Sequence, residues 1–167
     1  MSTRANIVLT ETYSWKENGS EHSRTKKLFF YRHSDGYPEG MLPILNVFCR
    51  WMKEGKIRND ISQAAGWLVI LGAIEYNTIP AFNLEKPHYR DDAPRYGDLS
   101  TVKSPDDWNC GSIEPTTGIH DDIEYLYIID MKYKKIRCFD SWDEYGNGKH
   151  EIDLTTHQKK LQLSTPK

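Results

Sequence analysis

The sequence lacks a strong excess of charge of either sign. Twenty-two lysines and arginines against 24 aspartates and glutamates give a formal net charge of −2. Proteins that follow a phosphate backbone usually carry a clear basic excess. Mimics of nucleic acid need an equally clear acidic excess. We therefore expect neither bulk nucleic-acid binding nor nucleic-acid mimicry.

Paired cysteines and long apolar runs are also missing. Cys49, Cys110 and Cys138 are widely spaced and form no C-x-x-C pair, which argues against a disulfide framework or a zinc ribbon. The most apolar segment, 64–74, is shorter than the roughly 20 residues that cross a bilayer. The first residues lack the basic stretch and apolar run of a signal peptide. These absences predict a cytoplasmic protein without a membrane partner.

Established catalytic and metal-binding motifs are absent as well. The chain has no glycine-rich phosphate loop, no serine in a nucleophile elbow, no H-E-x-x-H and no EF-hand loop. We therefore predict no cofactor and no bound metal, and we favour a binding function over an enzymatic one.

Strand periodicity marks both ends of the chain. With 38% apolar and 12% aromatic residues, the 167 residues can form a core, and we expect one domain over 1–167. Alternation predicts a strand near the N-terminus and a second over 26–33, joined loosely through the polar residues 17–25. A clear hairpin is predicted at 123–130 and 135–139, with a further short strand near 151–154. The tail, 156–167, is expected to be frayed.

Two helices are predicted between these strand regions. Apolar residues at helical spacing indicate a helix over 41–53, and a second over 64–76 follows Asp60, which can cap with Gln63. The second helix is apolar on nearly every side, so we place it at the centre of the fold. The proline-containing stretch 77–110 is expected to be a long irregular arm. The order predicts an α+β fold: an antiparallel sheet of four to five strands with two main helices packed on one face.

The first polar segment, 31–40, lies where the second strand is expected to end. His33 could act as a base or hydrogen-bond donor if Asp35 holds its tautomer. Tyr31, Tyr37 and Glu39 would surround it. Turn and cap chemistry explains much of the same segment, because Asp35 precedes a glycine and Pro38 suits the first helical position.

The second polar segment, 114–127, contains His120, Asp122 and Glu124 at a spacing of two. In an extended chain these side chains share one face, with Tyr125 on the other. They could grip a polar ligand, or they could form a buried ion pair. Candidate cationic partners are Arg4, Arg32 and Arg137.

We predict that the two segments converge into one pocket. The predicted ligand-binding set is Arg4, Tyr31, His33, Asp35, Tyr37, Glu39, His120, Asp122, Glu124 and Tyr125.

Three blocks of the sequence resemble a group of small proteins from bacteriophages, prophages and plasmids. The blocks are residues 2–5 (STRA), 33–40 (HSDGYPEG) and 120–127 (HDDIEYLY). Asp121 departs from the small residue that the group usually carries there. The resemblance implies a mobile-element setting in a bacterial host cell and a role against host defence, without implying a mechanism.

Three functions remain open at this point. The first is binding of a small polar, nucleotide-like ligand or of a host defence protein through the predicted pocket. The second is hydrolysis, with His33 and Asp35 as one acid–base pair and Glu124 as another group. The third is inhibition of a partner protein through the proline-rich arm, around 85–98.

Overall fold

The computed structural model of the chain describes residues 2–78 and 113–164. Its centre is one sheet of six strands. The strands are β1 (Ala5–Glu17), β2 (Ser20–Arg32), β3 (Glu114–Thr116), β4 (Tyr125–Asp130), β5 (Lys135–Trp142) and β6 (Gly148–Ile152). The helices are α1 (Pro38–Lys53), α2 (Ile61–Thr78) and α3 (Thr155–Ser164).

The sheet is mostly antiparallel, with the strand order β3-β2-β1-β4-β5-β6. Only β1 and β4 run parallel, and Ala5 lies opposite Tyr125 at the start of that pair. The mixed α+β class and the mainly antiparallel sheet agree with the prediction. The described residues contain one strand more than predicted, because β3 has three residues with Pro115 at its centre and shows no alternation.

The connection between the first two strands is a tight turn, so the predicted loose connection is wrong. β1 and β2 pair without interruption from Ala5 and Arg32 to Glu17 and Ser20. Asn18 (φ 50°) and Gly19 (φ 78°) both lie in the left-handed region, as the two central residues of a type I′ hairpin turn do. The polar residues on either side of the turn belong to the two strands. They are polar because the outer half of this hairpin is exposed on both faces.

The main core lies between the sheet and the helices. Alternate residues of β1 and β2 point toward the helices, among them Ile7, Leu9 and Phe30. Leu45 and Phe48 of α1 meet them and are fully buried. Pro38 occupies the first turn of α1, as predicted.

The second helix begins as predicted but is not central. Asp60 accepts a hydrogen bond from the backbone N–H of Gln63 at 2.9 Å, which confirms the cap. Ala64 and Leu68 are buried, whereas Gly66 is exposed and Trp67 is only half-buried. The apolar side chains of α2 therefore extend beyond the stripe that faces the sheet.

A smaller apolar cluster covers the opposite face of the sheet, which we call the helix-free face because no helix of residues 2–78 or 113–164 contributes to it. It consists of Val8, Tyr31, Ile123, Leu126 and Phe139. The helix-facing and helix-free clusters follow from strand alternation, which turns neighbouring residues to opposite sides.

Two further predictions concern the second half of the chain. The segment predicted as a frayed tail, 156–167, forms α3 through Ser164, with Asp153 accepting a hydrogen bond from the Thr155 N–H at 2.9 Å. The irregular arm predicted for 77–110 lies outside the described residues from 79 onward. Within the described ranges, no helix has the length and apolar character needed to cross a membrane.

Candidate functional site

Six polar or aromatic side chains gather on the helix-free face, where β1 begins and β2 ends. We call them the polar cluster: Arg4, Tyr31, His33, Glu114, His120 and Asp122. They come from the N-terminal block and from both predicted segments, the second of which begins with β3. Side chains of the two predicted segments therefore meet, although with a different membership, and a pocket formed by them stays a prediction.

Tyr31 is the centre of the polar cluster. Its ring stacks on the His120 imidazole, with 4.1 Å between centroids and 23° between planes. The His33 imidazole meets the same ring at 90°, with 4.6 Å between centroids. Tyr31 is 5% exposed, so it forms a buried aromatic floor beneath two imidazoles.

Asp122 joins the N-terminal block to this floor. Its carboxylate accepts hydrogen bonds from Arg4 Nη1 at 2.8 Å and from the Tyr31 hydroxyl at 3.1 Å. Burial raises the pKa of Tyr31, and the hydrogen bond to Asp122 adds to the effect, so the hydroxyl remains a donor. Arg4 is one of the cationic partners that the sequence suggested. The pair is half-exposed, with side-chain exposures of 45% and 42%, rather than buried.

A buried asparagine that the sequence analysis missed holds the loop carrying His120. Asn6 is fully buried in β1. Its side-chain amide donates to the Phe30 carbonyl at 2.7 Å and to the Gly118 carbonyl at 3.3 Å. Its side-chain oxygen accepts from the His120 N–H at 2.9 Å. A lone amide inside the apolar run 5–9 was the sequence signal that could have pointed to this role.

The His120 ring is fixed from a third side. Its Nε2 lies 2.8 Å from the Thr116 hydroxyl of β3. Together with the backbone bond to Asn6 and the stack on Tyr31, this contact sets both the position and the plane of the imidazole.

His33 pairs with Glu114 rather than with Asp35. His33 Nε2 and the Glu114 carboxylate form a hydrogen-bonded pair at the surface, with side-chain exposures of 58% and 43%. The Ser2 hydroxyl donates to the His33 carbonyl. Glu114 belongs to β3, where it lies opposite Tyr31 of β2. The sequence does not predict β3, and for that reason it does not predict Glu114 as the partner of His33.

Asp35 and Tyr37 form a separate pair. Asp35 has a left-handed backbone (φ 54°) in the turn before α1. Its negative charge, together with burial and a hydrogen bond from the Tyr37 hydroxyl, raises the pKa of Tyr37. The predicted orientation of His33 by Asp35 is therefore wrong, and the hydrolytic arrangement built on it loses its first pair.

Glu124 and Tyr125 do not join the polar cluster. A turn at 121–122 interrupts the chain, so the spacing of two does not place His120, Asp122 and Glu124 on one strand face. The Glu124 side chain is exposed. Tyr125 faces the helices, next to Tyr127, while Ile123 packs on the helix-free face. Ile123 and Tyr125 therefore lie on opposite faces of the sheet although they are two residues apart.

Glu39 also lies on the helix side. It accepts a hydrogen bond from His157 Nδ1 of α3 at 2.7 Å. Arg32 and Arg137, the other suggested cations, pair with Glu75 at 2.7 Å and with Glu151 at 2.8 Å. Neither arginine forms a salt bridge with the polar cluster among the described residues.

The three sequence blocks 2–5, 33–40 and 120–127 meet in space. The Gly36 N–H donates to the Thr3 carbonyl at 2.9 Å, and a Cβ at Gly36 would lie 2.8 Å from the Ala5 Cβ. The Glu124 N–H donates to the Arg4 carbonyl at 2.9 Å. A Cβ at Gly40 would lie 2.2 Å from the Asp35 carbonyl oxygen. Much of these blocks therefore packs the corner that supports the polar cluster.

The described residues contain neither a reactive cysteine nor a cluster of metal ligands that could form a second candidate site. Burial raises the pKa of Cys49 to about 11 and that of Cys138 to about 12, so both thiols stay protonated near neutral pH. No group of three histidine, cysteine or acidic side chains within the described ranges could hold a metal ion.

Comparison with known proteins adds no identification. No protein-family model, no curated protein and no solved structure matches the chain.

Proposed function

We propose that the chain is a binding protein whose polar cluster recognises a small polar ligand with a planar ring, such as a nucleotide. The observation that carries the proposal is the position of Tyr31, on which the imidazoles of His33 and His120 converge from two remote parts of the chain. The resemblance to phage and plasmid proteins favours a ligand that host defence uses as a signal.

The chemistry of the polar cluster supports this choice. Imidazole rings can stack on a planar ligand, and their nitrogens can donate or accept hydrogen bonds. The half-exposed pair of Arg4 and Asp122 adds a cationic donor and an anionic acceptor beside the rings. A few polar groups held at fixed positions on an aromatic surface are what orients a small ligand.

Several features favour binding over catalysis. The imidazole of His33 is paired with Glu114, and that of His120 with Thr116. His33 is exposed and His120 is half-buried, and each imidazole has a nitrogen already engaged by its partner. Asp35, the residue predicted to orient His33, interacts with the Tyr37 hydroxyl instead and raises the pKa of Tyr37.

Calorimetric titration of a panel of nucleosides and nucleotides tests the proposal. We expect His120→Ala to weaken binding at least about tenfold, equal to about 1.4 kcal/mol. His150→Ala is the matched control, because His150 is an exposed histidine paired with Asp140 away from the cluster. Wild-type protein that binds no member of the panel, or equal losses in both variants, would contradict the proposal.

Mass spectrometry of the bound compound separates binding from turnover. Recovery of an intact ligand after prolonged incubation is the expected result. A chemically changed ligand would instead favour the hydrolytic alternative, and loss of that change in His33→Ala would assign it to the cluster.

A further inference from the structure

A cleft of about 780 Å³ lies on the helix side of the sheet, far from the polar cluster. It is bounded by the C-terminal half of α1, the turn 131–134 between β4 and β5, the end of β6 and the start of α3. Ile136 and Ile152, which line it, also pack against the helix-facing core. Its volume falls within the range of about 300–1,000 Å³ that is typical of small-molecule sites.

The lining of this cleft is cationic. Four basic side chains line it: Arg50, Lys53, Lys134 and Lys135. Two acidic side chains, Glu151 and Asp153, also line it, so the excess is two positive charges in a chain of net charge −2. None of the four basic side chains forms a salt bridge within residues 2–78 and 113–164.

The two acidic side chains are occupied by other partners. Glu151 receives two hydrogen bonds from Arg137, at 2.9 and 2.8 Å, and this arginine lowers the pKa of Glu151. Asp153 accepts the Thr155 N–H and caps α3. Both carboxylates are therefore already engaged. Among the basic side chains, Lys134 donates a hydrogen bond to the Lys132 carbonyl at 3.2 Å, and Lys135 adds to the lowering of the Glu151 pKa. A neutral carbonyl leaves the Lys134 ammonium its charge, and Arg50 and Lys53 form no salt bridge within the described residues.

The four cations come from two different regions of the chain that border the cleft. Arg50 and Lys53 come from the last turn of α1, whereas Lys134 ends the β4–β5 turn and Lys135 begins β5. Arginine binds phosphate through its planar fork, and lysine binds it as a point charge. Cations on two sides of a cleft suit a ligand with more than one phosphate group.

We propose that this cleft binds a small anion of the diphosphate class. The site is independent of the proposed function at the polar cluster, since it lies on the opposite face of the sheet and at its other end. The parallel pair of β1 and β4 shows this directly: Ala5 and Tyr125 begin the pair beside the polar cluster, while Thr10 and Asp130 end it beside the turn.

Titration with inorganic pyrophosphate at low salt tests the site, because this probe has no ring for the polar cluster to recognise. We expect wild-type protein to bind it and added NaCl to weaken the binding by screening. Arg50→Gln/Lys53→Gln should bind at least about tenfold more weakly. Arg24→Gln/Lys27→Gln removes the same two residue types from the exposed β1–β2 hairpin and should bind as wild type does.

A third variant separates loss of binding from loss of folding. Arg50 and Lys53 also face the negative end of the α1 dipole, so their removal could destabilise the helix. Lys134→Asn removes one cation at a left-handed position (φ 51°) that asparagine tolerates. Far-UV circular dichroism checks each variant, and Lys134→Asn should weaken pyrophosphate binding with the fold intact.

Three outcomes decide the proposal. Weaker binding by the two cleft variants alone, with His120→Ala unaffected, supports it. No binding of pyrophosphate by the wild-type protein overturns it. Equal weakening by the hairpin variant also overturns it, because the effect would then follow from net charge rather than from the cleft.

Discussion

The hydroxyl of Tyr127 in β4 donates a hydrogen bond to the carbonyl oxygen of Gly36, at 2.8 Å, inside the protein. Tyr127 is fully buried, and burial is the main reason that its pKa is raised. The bond joins the central part of the sheet to the turn that precedes α1. This buried contact therefore adds to the backbone hydrogen bonds that hold the corner beside the polar cluster.

Removing this hydroxyl should destabilise the fold. Tyr127→Phe leaves the Gly36 carbonyl without its side-chain donor, and we expect a loss of about 1–3 kcal/mol in the free energy of unfolding. Urea denaturation measures the change. Tyr133→Phe is the control, because Tyr133 is 67% exposed, and its effect should stay within about 0.5 kcal/mol. Similar losses in both variants would contradict a special role for the buried bond.

Two glycine substitutions should have opposite effects on stability. At Gly36 an added Cβ would lie 2.8 Å from the Ala5 Cβ and 2.9 Å from the Ala5 backbone nitrogen, so Gly36→Ala should cost about 1–3 kcal/mol. At Gly66, inside α2, an added Cβ meets nothing within 4 Å. Gly66→Ala should therefore stabilise by up to about 1 kcal/mol through helix propensity. Thermal unfolding compares them, and a neutral Gly36→Ala would show that this corner can relax.

Asn6→Ala should loosen the loop that carries His120. The substitution removes two donated hydrogen bonds and one accepted bond from a buried position, and we expect a loss of about 2 kcal/mol or more. Amide hydrogen exchange gives a local measurement, because the His120 N–H loses its acceptor and should exchange faster. Asn46→Ala, at a half-buried position of α1, should leave that amide unchanged. An unaltered His120 amide in Asn6→Ala would show that another contact holds the loop.

The loop between β5 and β6 should show a local dependence on pH. A hydrogen bond from the Asn147 side chain, with further backbone N–H bonds, lowers the pKa of Asp143 below 3.8. This carboxylate therefore contributes stability above its unfolded pKa of about 3.9, and the contribution is lost as the pH falls through the folded pKa. Carboxyl NMR titration should show an upward shift of the Asp143 pKa in Asn147→Ala.

Tyr145→Ala is the control for that titration. Tyr145 is 75% exposed and contributes only its backbone N–H to Asp143, at 3.0 Å, so the low pKa should persist. A pKa that rises equally in both variants would assign the effect to loop order instead of to the Asn147 side chain.

Periodicity predicted most of the elements but not their limits or neighbours. Helical spacing located α1 and α2, and Asp60 marked the correct cap. The outer half of the β1–β2 hairpin was missed because exposure on both faces removes the alternation that reveals a strand. The pairing of β1 with β4 is a long-range contact, and no local pattern encodes it.

The candidate site was predicted in outline for a similar reason. Polar and aromatic residues at strand ends predict a site that contains Tyr31, His33, His120 and Asp122, and these side chains do meet. A strand periodicity of two predicts that Glu124 shares a face with His120 and Asp122. The turn at 121–122 breaks that periodicity. Asn6 and Glu114 were missed because their importance comes from which loop or strand they face, a property of the tertiary fold.

The order in which the sheet's neighbours appear along the chain has a consequence for biosynthesis. β1 emerges first from the ribosome, yet one of its edges waits for β4, which begins at Tyr125. Until then the core lacks the buried β4 residues Tyr127 and Ile129, and contacts of such long sequence separation form slowly. Stalling translation before residue 125 should therefore leave a species that chaperones bind, whereas release after β5 should allow compaction.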